Sequence, residues 1–305
     1  MSDSLVPYII KTLRQRALGK GGFANTAKGN YRSDATAWAI LALVAAGDDK
    51  DQELLSLART RLAAGQLSDG RVSISPEHPE IYWPTPLAIL AWHQSPAHQE
   101  MSSRAVQFLL NHSGTYWQPK QEDVIREDHS LKGWPWVEAT YSWVAPTALG
   151  IIALKTAGYG NQPRVLEARR LLLDRECLHG GWNYGNKLVF GAELRPMPED
   201  TGMALDALQD STSKPSLERS LAYLKSVVKS LRTPIALAWS LLGLGAWGER
   251  PAAAAALLSE CWQRQERYGV YDTTSLSLLI LASRSSGGLE NIFNPDPVLP
   301  KGQPL

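Results

Sequence analysis

Cysteine is scarce in this chain, and neither sign of charge predominates. The 305 residues include two cysteines, Cys177 and Cys261, which are too few for a disulfide framework. The 31 Lys and Arg residues offset 30 Asp and Glu residues, and the resulting net charge of +1 argues against a nucleic acid as the main partner. We therefore expect a protein of a reducing compartment, the cytoplasm.

Long apolar runs and targeting segments are also missing. No stretch is apolar for long enough to span a bilayer, and residues 1–18 lack a basic segment followed by an apolar one. No Gly-rich phosphate-binding loop of the usual spacing is present, so we expect no ATP, nicotinamide or flavin cofactor. Peripheral contact with a membrane surface is left open.

Tryptophan is abundant where phenylalanine is rare. The chain has 11 Trp and 4 Phe residues, and 44% of it is hydrophobic, which is enough for a substantial core. Tryptophan combines a large apolar surface with a ring face that attracts cations. The aromatic residues are therefore candidates both for the core and for a binding surface.

A short segment rich in Ala, Leu and Ile recurs six times along the chain. Because the copies are almost free of charge, each predicts a helix that is buried on every side. The copies are TAWAILAL from Thr36, TPLAILAW from Thr85, TALGIIAL from Thr147, TGMALDAL from Thr201, LAWSLLGL from Leu237 and TSLSLLIL from Thr274.

Amphipathic stretches alternate with these copies. Leu5, Ile9 and Leu13, for example, recur four residues apart on a stretch with charged neighbours. The alternation predicts an all-α fold of six inner and six outer helices, stacked as hairpins. Neither end of the array looks like a polar cap, which favours a closed (α/α)6 toroid in one domain, residues 1–283, over an open solenoid. The Gly-, Ser- and Pro-rich residues 284–305 form a tail, either a strap over the surface or disordered.

The connector before the fourth inner helix carries the most distinctive pattern. Gly180-Gly181-Trp182 is followed by a polar loop, and Glu199-Asp200-Thr201 then opens an Ala/Leu helix. This pattern, with its weaker copies, resembles the prenyltransferase and squalene-oxidase repeat over residues 4–283. That repeat builds the α/α toroids of squalene–hopene cyclases, oxidosqualene cyclases and protein prenyltransferase β-subunits. The resemblance implies a toroid fold and an apolar, isoprenoid-type ligand.

The same resemblance implies a catalytic acid. Class II terpene cyclases carry a stretch similar to Asp-x-Asp-Asp-Thr-Ala, whose middle Asp protonates an alkene. In that register this chain reads Met197-Pro198-Glu199-Asp200-Thr201-Gly202, which makes Glu199 the proton donor and Asp200 its partner, with Met197 in place of the first acid. The competing hypothesis is that Asp200 caps the helix that starts at Thr201 or Gly202, and that Glu199 is solvated.

The zinc site of protein prenyltransferases has no counterpart. The positions that match its Asp, Cys and His ligands are Thr233, Ile235 and Asp272, which do not form a ligand set. We therefore expect no metal.

Aromatic residues near the starts of the inner helices are candidates for ligand binding. An aromatic opening of the ring could bind an isoprenoid chain or stabilise a carbocation, whereas the alternative is that aromatic residues fill the centre of the ring. The candidates are Trp83, Tyr141, Trp143, Trp182, Tyr184 and Tyr271.

Two functions follow from the sequence, and it does not decide between them. In the first, the toroid binds and cyclises or otherwise modifies an isoprenoid-type ligand, as an isomerase or lyase. In the second, it is a non-catalytic module that binds a lipid, a peptide or a protein at the opening of the ring. Whether the chain is an enzyme is left open at this stage.

Overall fold

The computed structural model describes residues 5–118, 127–189 and 191–293. These residues are mostly helical, with one short antiparallel pair of strands, β1 (Leu188–Val189) and β2 (Ala192–Glu193). In chain order the helices are α1 (Val6–Arg14), α2 (Ser33–Ala46), α3 (Gln52–Ala64), α4 (Pro84–Trp92), α5 (Gln99–Asn111), α6 (Val144–Thr156), α7 (Pro163–Asp174), α8 (Pro198–Leu208), α9 (Glu218–Val227), α10 (Pro234–Ala246), α11 (Ala254–Gln263), α12 (Gln265–Tyr268), α13 (Thr273–Arg284) and α14 (Glu290–Phe293).

The six apolar helices form a closed ring. Taken in the order α2, α4, α6, α8, α10 and α13, each packs against the next, and α13 packs against α2. Helices α1, α3, α5, α7, α9 and α11 pack outside them. The predicted (α/α)6 toroid is confirmed, and the open solenoid is excluded because the last inner helix contacts the first. None of the helices within the described ranges is long and apolar enough to cross a membrane.

Hydrogen bonds fasten the seam between the first and last repeats. The Arg16 guanidinium donates from Nη1 to the Asn25 carbonyl at 2.9 Å and to Thr273 Oγ1 at 3.2 Å, and from Nη2 to the Tyr271 carbonyl. The Thr273 backbone N–H donates to the Asn25 carbonyl at 2.9 Å. Ring closure therefore combines apolar packing with polar contacts between the two ends of the toroid.

The recurring threonines tie each connector to its inner helix. The helices begin one to three residues before the sequence indicated, so each threonine lies inside the first turn rather than at its start. In four repeats its hydroxyl accepts a connector N–H at 2.9 to 3.0 Å. The pairs are Phe23 with Thr36, Val72 with Thr85, Trp134 with Thr147, and Trp182 with Thr201.

Replacing Thr147 with valine tests this contact. Valine has nearly the same shape but cannot accept the buried Trp134 N–H, so we expect a loss of about 1–3 kcal/mol in the free energy of unfolding. The measurement is urea denaturation. Thr233→Val is the control, because Thr233 is exposed and makes no side-chain cap, and it should shift stability by less than about 0.5 kcal/mol. Equal stabilities of the two variants would contradict the role given to Thr147.

Side chains from the inner helices fill the ring at one level. One residue per helix lies at this level, two positions after the shared threonine. In the fifth repeat the reference residue is Leu237, and in the last it is Thr273. These are Trp38, Leu87, Leu149, Met203, Trp239 and Ser275.

The two tryptophans of this level meet inside the ring. The rings of Trp38 and Trp239 pack edge to face with centroids 6.0 Å apart, although α13 lies between their helices. Both are buried. These two aromatic residues therefore occupy the interior of the ring at this depth.

The described part of the C-terminal tail crosses the end of the ring where the inner helices finish. The Leu289 N–H donates to Asp206 Oδ2 at 2.8 Å, and Lys155 Nζ pairs with Glu290 at 2.9 Å. The Phe293 ring packs against His93. Residues 285–293 thus form a strap that begins where α13 ends, and residues 294–305 lie outside the described ranges.

Candidate active site at the mouth of the ring

The end of the ring where the inner helices begin is called the mouth here. Helix α8 reaches it with Pro198 as its first residue, and Glu199 and Asp200 follow within the first turn. No side chain caps this helix. The hypothesis that Asp200 is the N-cap is therefore wrong, because the helix begins before Asp200 and not after it. Asp272, in contrast, does cap α13, accepting the Ser275 N–H at 2.8 Å.

Asp200 has an unusual environment for a carboxyl group. It is 4% exposed, and it makes no hydrogen bond or ion pair with any described residue. Burial raises its pKa to about 7, and the nearby negative charge of Glu199 adds to the effect. A substantial fraction of Asp200 is therefore protonated near neutral pH, as a general acid must be.

Glu199 differs from Asp200 in exposure. The Glu199 side chain is partly exposed. Asp200, in contrast, is buried, and burial favours its protonated form. The family resemblance gives the donor role to Glu199, whereas the environment that a proton donor needs belongs to Asp200. The donor role of Glu199 stays a prediction.

A second buried carboxyl group, Asp206, was missed by the sequence reasoning. It lies two turns further along α8, and burial raises its pKa to about 7. Its Oδ2 accepts the Leu289 N–H, and its Oδ1 has no partner among the described residues. The available signal was a single acid inside an otherwise apolar repeat, TGMALDAL. Its position far from the mouth gives it a structural role in holding the strap.

Two of the predicted aromatic residues line a cavity at the mouth. Tyr141 and Trp143 contribute to a cavity of about 280 Å³ between the third and fourth repeats. His129 and Arg175 also line it, and the His129 ring stacks on Trp117 with centroids 4.0 Å apart. The remaining lining residues are Thr115, Leu131, Ser142, Gly185 and Asn186.

His129 is half-buried rather than solvated. Burial lowers the pKa of its imidazole, and the positive charge of Arg175 lowers it further, so the ring is neutral near pH 7. A neutral imidazole can accept a proton or a hydrogen bond from a ligand in this cavity.

The other predicted binding residues lie in different environments. Tyr184 is exposed beside Gly185 of the cavity, and Trp83 packs edge to face on Trp136 at 5.7 Å between centroids. Tyr271 donates from its hydroxyl to the Cys261 carbonyl at 2.7 Å, close to the seam.

Trp182 belongs to the core and not to the binding surface. It has no exposed surface, and its Nε1 donates to the Leu172 carbonyl at 2.6 Å. The sequence prediction of a ligand contact at Trp182 is corrected for this reason. The glycine pair before it places the indole under the connector, where it packs inside the toroid.

Metal ligands do not converge in the described parts of the chain. Searched over residues 5–118, 127–189 and 191–293, His, Cys, Asp and Glu side chains form no group of three that could hold an ion. Cys177 is buried, and burial raises the pKa of its thiol to about 11, which disfavours the reactive thiolate.

Comparisons with known proteins bear on the fold. No protein-family model and no curated protein sequence matches the chain. A crystal structure of a protein from Actinoplanes matches with a TM-score of 0.64 and 14% identity, over 94% of this chain and 99% of that one. The type II terpene cyclase MstE from Scytonema, in complex with geranylgeranyl dihydroxybenzoate, matches at 0.63 and 12%, over 96% and 97%.

A glycosidase matches equally well. The α-1,6-mannanase GH76A of Salegentibacter, an inactive variant bound to α-1,6-mannotriose, gives a TM-score of 0.63 and 10% identity, over 94% and 99% of the two chains. This chain shares their fold. Because the same toroid carries a terpene cyclase and a mannanase, the fold does not determine the chemistry, which must be argued from the site.

Proposed function

We propose that the protein binds an apolar, isoprenoid-type ligand at its mouth and that Asp200 protonates it. The observation that carries the proposal is the buried, unpaired carboxyl group of Asp200 at the opening of an inner helix, with its pKa raised to about 7. An acid that burial keeps partly protonated can deliver a proton to a substrate at neutral pH.

The chemistry is an acid-initiated rearrangement. The Asp200 O–H bond breaks, its proton bonds to one alkene carbon, and the adjacent carbon becomes a carbocation. Aromatic ring faces stabilise positive charge, and Tyr141 and Trp143 offer such faces in the mouth cavity, although Asp200 is not one of the residues that line it. Loss of a proton from the carbocation then gives a new alkene, so the net reaction is an isomerisation or cyclisation without an external reactant.

A non-catalytic binding role is the second candidate. The contact between Trp38 and Trp239 inside the ring favours it, because these side chains reduce the space for a ligand at that depth. Met197 favours it too, since it replaces one acid of the cyclase-like stretch. In this case the mouth holds a lipid, a peptide or a protein segment without converting it.

Incubation with geranylgeraniol separates the two candidates. Products are followed by mass spectrometry and binding by calorimetry, for the wild type and for Asp200→Asn and Glu199→Gln. We expect conversion by the wild type, a loss of about 100-fold or more in Asp200→Asn with binding retained, and a change of less than about tenfold in Glu199→Gln.

Three outcomes would redirect the assignment. Binding without conversion by the wild type supports the non-catalytic module. Equal conversion by the wild type and Asp200→Asn removes Asp200 from the chemistry. Binding of α-1,6-mannotriose in place of geranylgeraniol would move the ligand class to carbohydrates.

A further inference from the structure

A groove at the seam between the first and last repeats lies apart from the mouth cavity. Its volume is about 500 Å³, larger than that of the mouth cavity. The first repeat contributes Thr12, Gln15, Arg16 and Ala27, and the last contributes Trp262, Gln265, Glu266 and Val270. Val270 is 74% exposed, so the groove is open and in part apolar.

Arg16 is a buried cation without an ion-pair partner in this groove. It is 4% exposed, and its three hydrogen bonds go to two backbone carbonyls and one hydroxyl. A guanidinium has five N–H donors, and Nε has no partner among the described residues. A buried charge left without a counter-charge is costly, and an anion that reaches it recovers part of that cost.

The nearby acids do not neutralise Arg16 by direct contact. Asp272 lies close enough to raise the Arg16 pKa, but it accepts the Ser275 N–H as the cap of α13, and burial outweighs its effect on Arg16. Glu266 is exposed in the groove lining and is not paired with Arg16.

We propose that the seam groove binds a free single-chain amphiphile with a carboxylate headgroup. The carboxylate lies on Arg16, and the alkyl chain runs along the apolar wall formed by Trp262 and Val270. One unpaired cation beside Glu266 fits a single negative charge better than a doubly charged headgroup. The inference is independent of the proposed function, because neither Asp200 nor any residue that lines the mouth cavity lines this groove.

Calorimetry with dodecanoate, below its micelle concentration, tests the site on the intact 305-residue chain. Dodecanol, which has the same chain without the charge, should bind at least tenfold more weakly. Equal affinities for the two, or no binding of dodecanoate, would overturn the proposal. So would pelleting with anionic vesicles without any binding of monomeric dodecanoate.

Three variants locate the site without disturbing the seam. Val270→Asp changes an exposed side chain of the groove wall and should weaken dodecanoate binding at least tenfold. Leu178→Asp is its matched control, since Leu178 is also exposed but lies outside the groove, and it should bind as the wild type does. Glu266→Gln removes the acid of the lining and should tighten binding severalfold. An unchanged affinity in Val270→Asp would place the ligand elsewhere and refute the assignment.

Discussion

Replacing Gly202 with alanine should destabilise the protein by about 3 kcal/mol or more. Helices α8 and α10 approach each other through Gly202 and Gly243, and a Cβ on Gly202 would lie 2.2 Å from the Trp239 carbonyl oxygen. The obstructing atoms belong to a helix backbone, which cannot rotate away as a side chain can. The helices must move apart, and the packing between two buried members of the ring is lost.

Urea denaturation of Gly202→Ala measures this effect. Gly19→Ala is the matched control, because a Cβ there meets nothing within 4 Å, and its stability should stay within about 0.5 kcal/mol of the wild type. Gly243→Ala should behave like Gly202→Ala, since its Cβ would lie 2.5 Å from the Gly202 carbonyl oxygen. A wild-type transition for Gly202→Ala would mean that α8 and α10 are not in backbone contact.

Replacing Asp200 with asparagine should stabilise the protein at alkaline pH. The pKa of Asp200 is raised from 3.8 to about 7 in the folded state, so the folded state binds more protons than the unfolded state between these values. The stability that protonated Asp200 contributes is therefore fully present below about pH 4, and it is lost as the pH rises through 7. Asparagine does not ionise, and it removes a penalty of at most about 4 kcal/mol at pH 8.

Thermal unfolding of Asp200→Asn at pH 4, 6 and 8 checks the sign of this effect. The difference from the wild type should be small at pH 4 and should grow with pH. Asp206 makes stability depend on pH in a similar way, because burial raises its pKa to about 7 too. The variant therefore retains part of the slope of stability against pH. Asp49→Asn, at an exposed position without an ion pair among the described residues, is the control and should follow the wild type at each pH. Greater stability of the wild type at pH 8 would show that Asp200 is ionised and paired.

The inner helices could be predicted because they repeat. Six copies of one apolar pattern can be buried only if their neighbours cover them, and this requirement led to the toroid. The helix starts were less predictable, since the fourth apolar copy was taken to begin at Thr201, whereas α8 begins at Pro198. Proline at the first helical position was the overlooked signal, and it also begins α4, α7 and α10.

The sequence narrowed the candidate acid to two residues but could not show which of the two is buried. Glu199 and Asp200 are adjacent, and successive residues of a helix point about 100° apart, so one of them can be buried while the other meets solvent. Which of the two is buried depends on how α8 is rotated in the ring. The sequence could not show that rotation, and the family resemblance favoured the other residue.

The sequence by itself determined the helical class, the sixfold repeat and the presence of acids and aromatic residues near the openings of the inner helices, because these follow from local periodicity. Only the tertiary structure decided the rest, because burial depends on residues far apart in the chain. The side chains of Trp38 and Trp239 meet inside the ring, although α13 lies between their helices. Arg16 lies in a groove that exists only where the last repeat closes on the first. The pKa of Asp200 is raised because the folded ring buries its side chain and because Glu199 lies beside it.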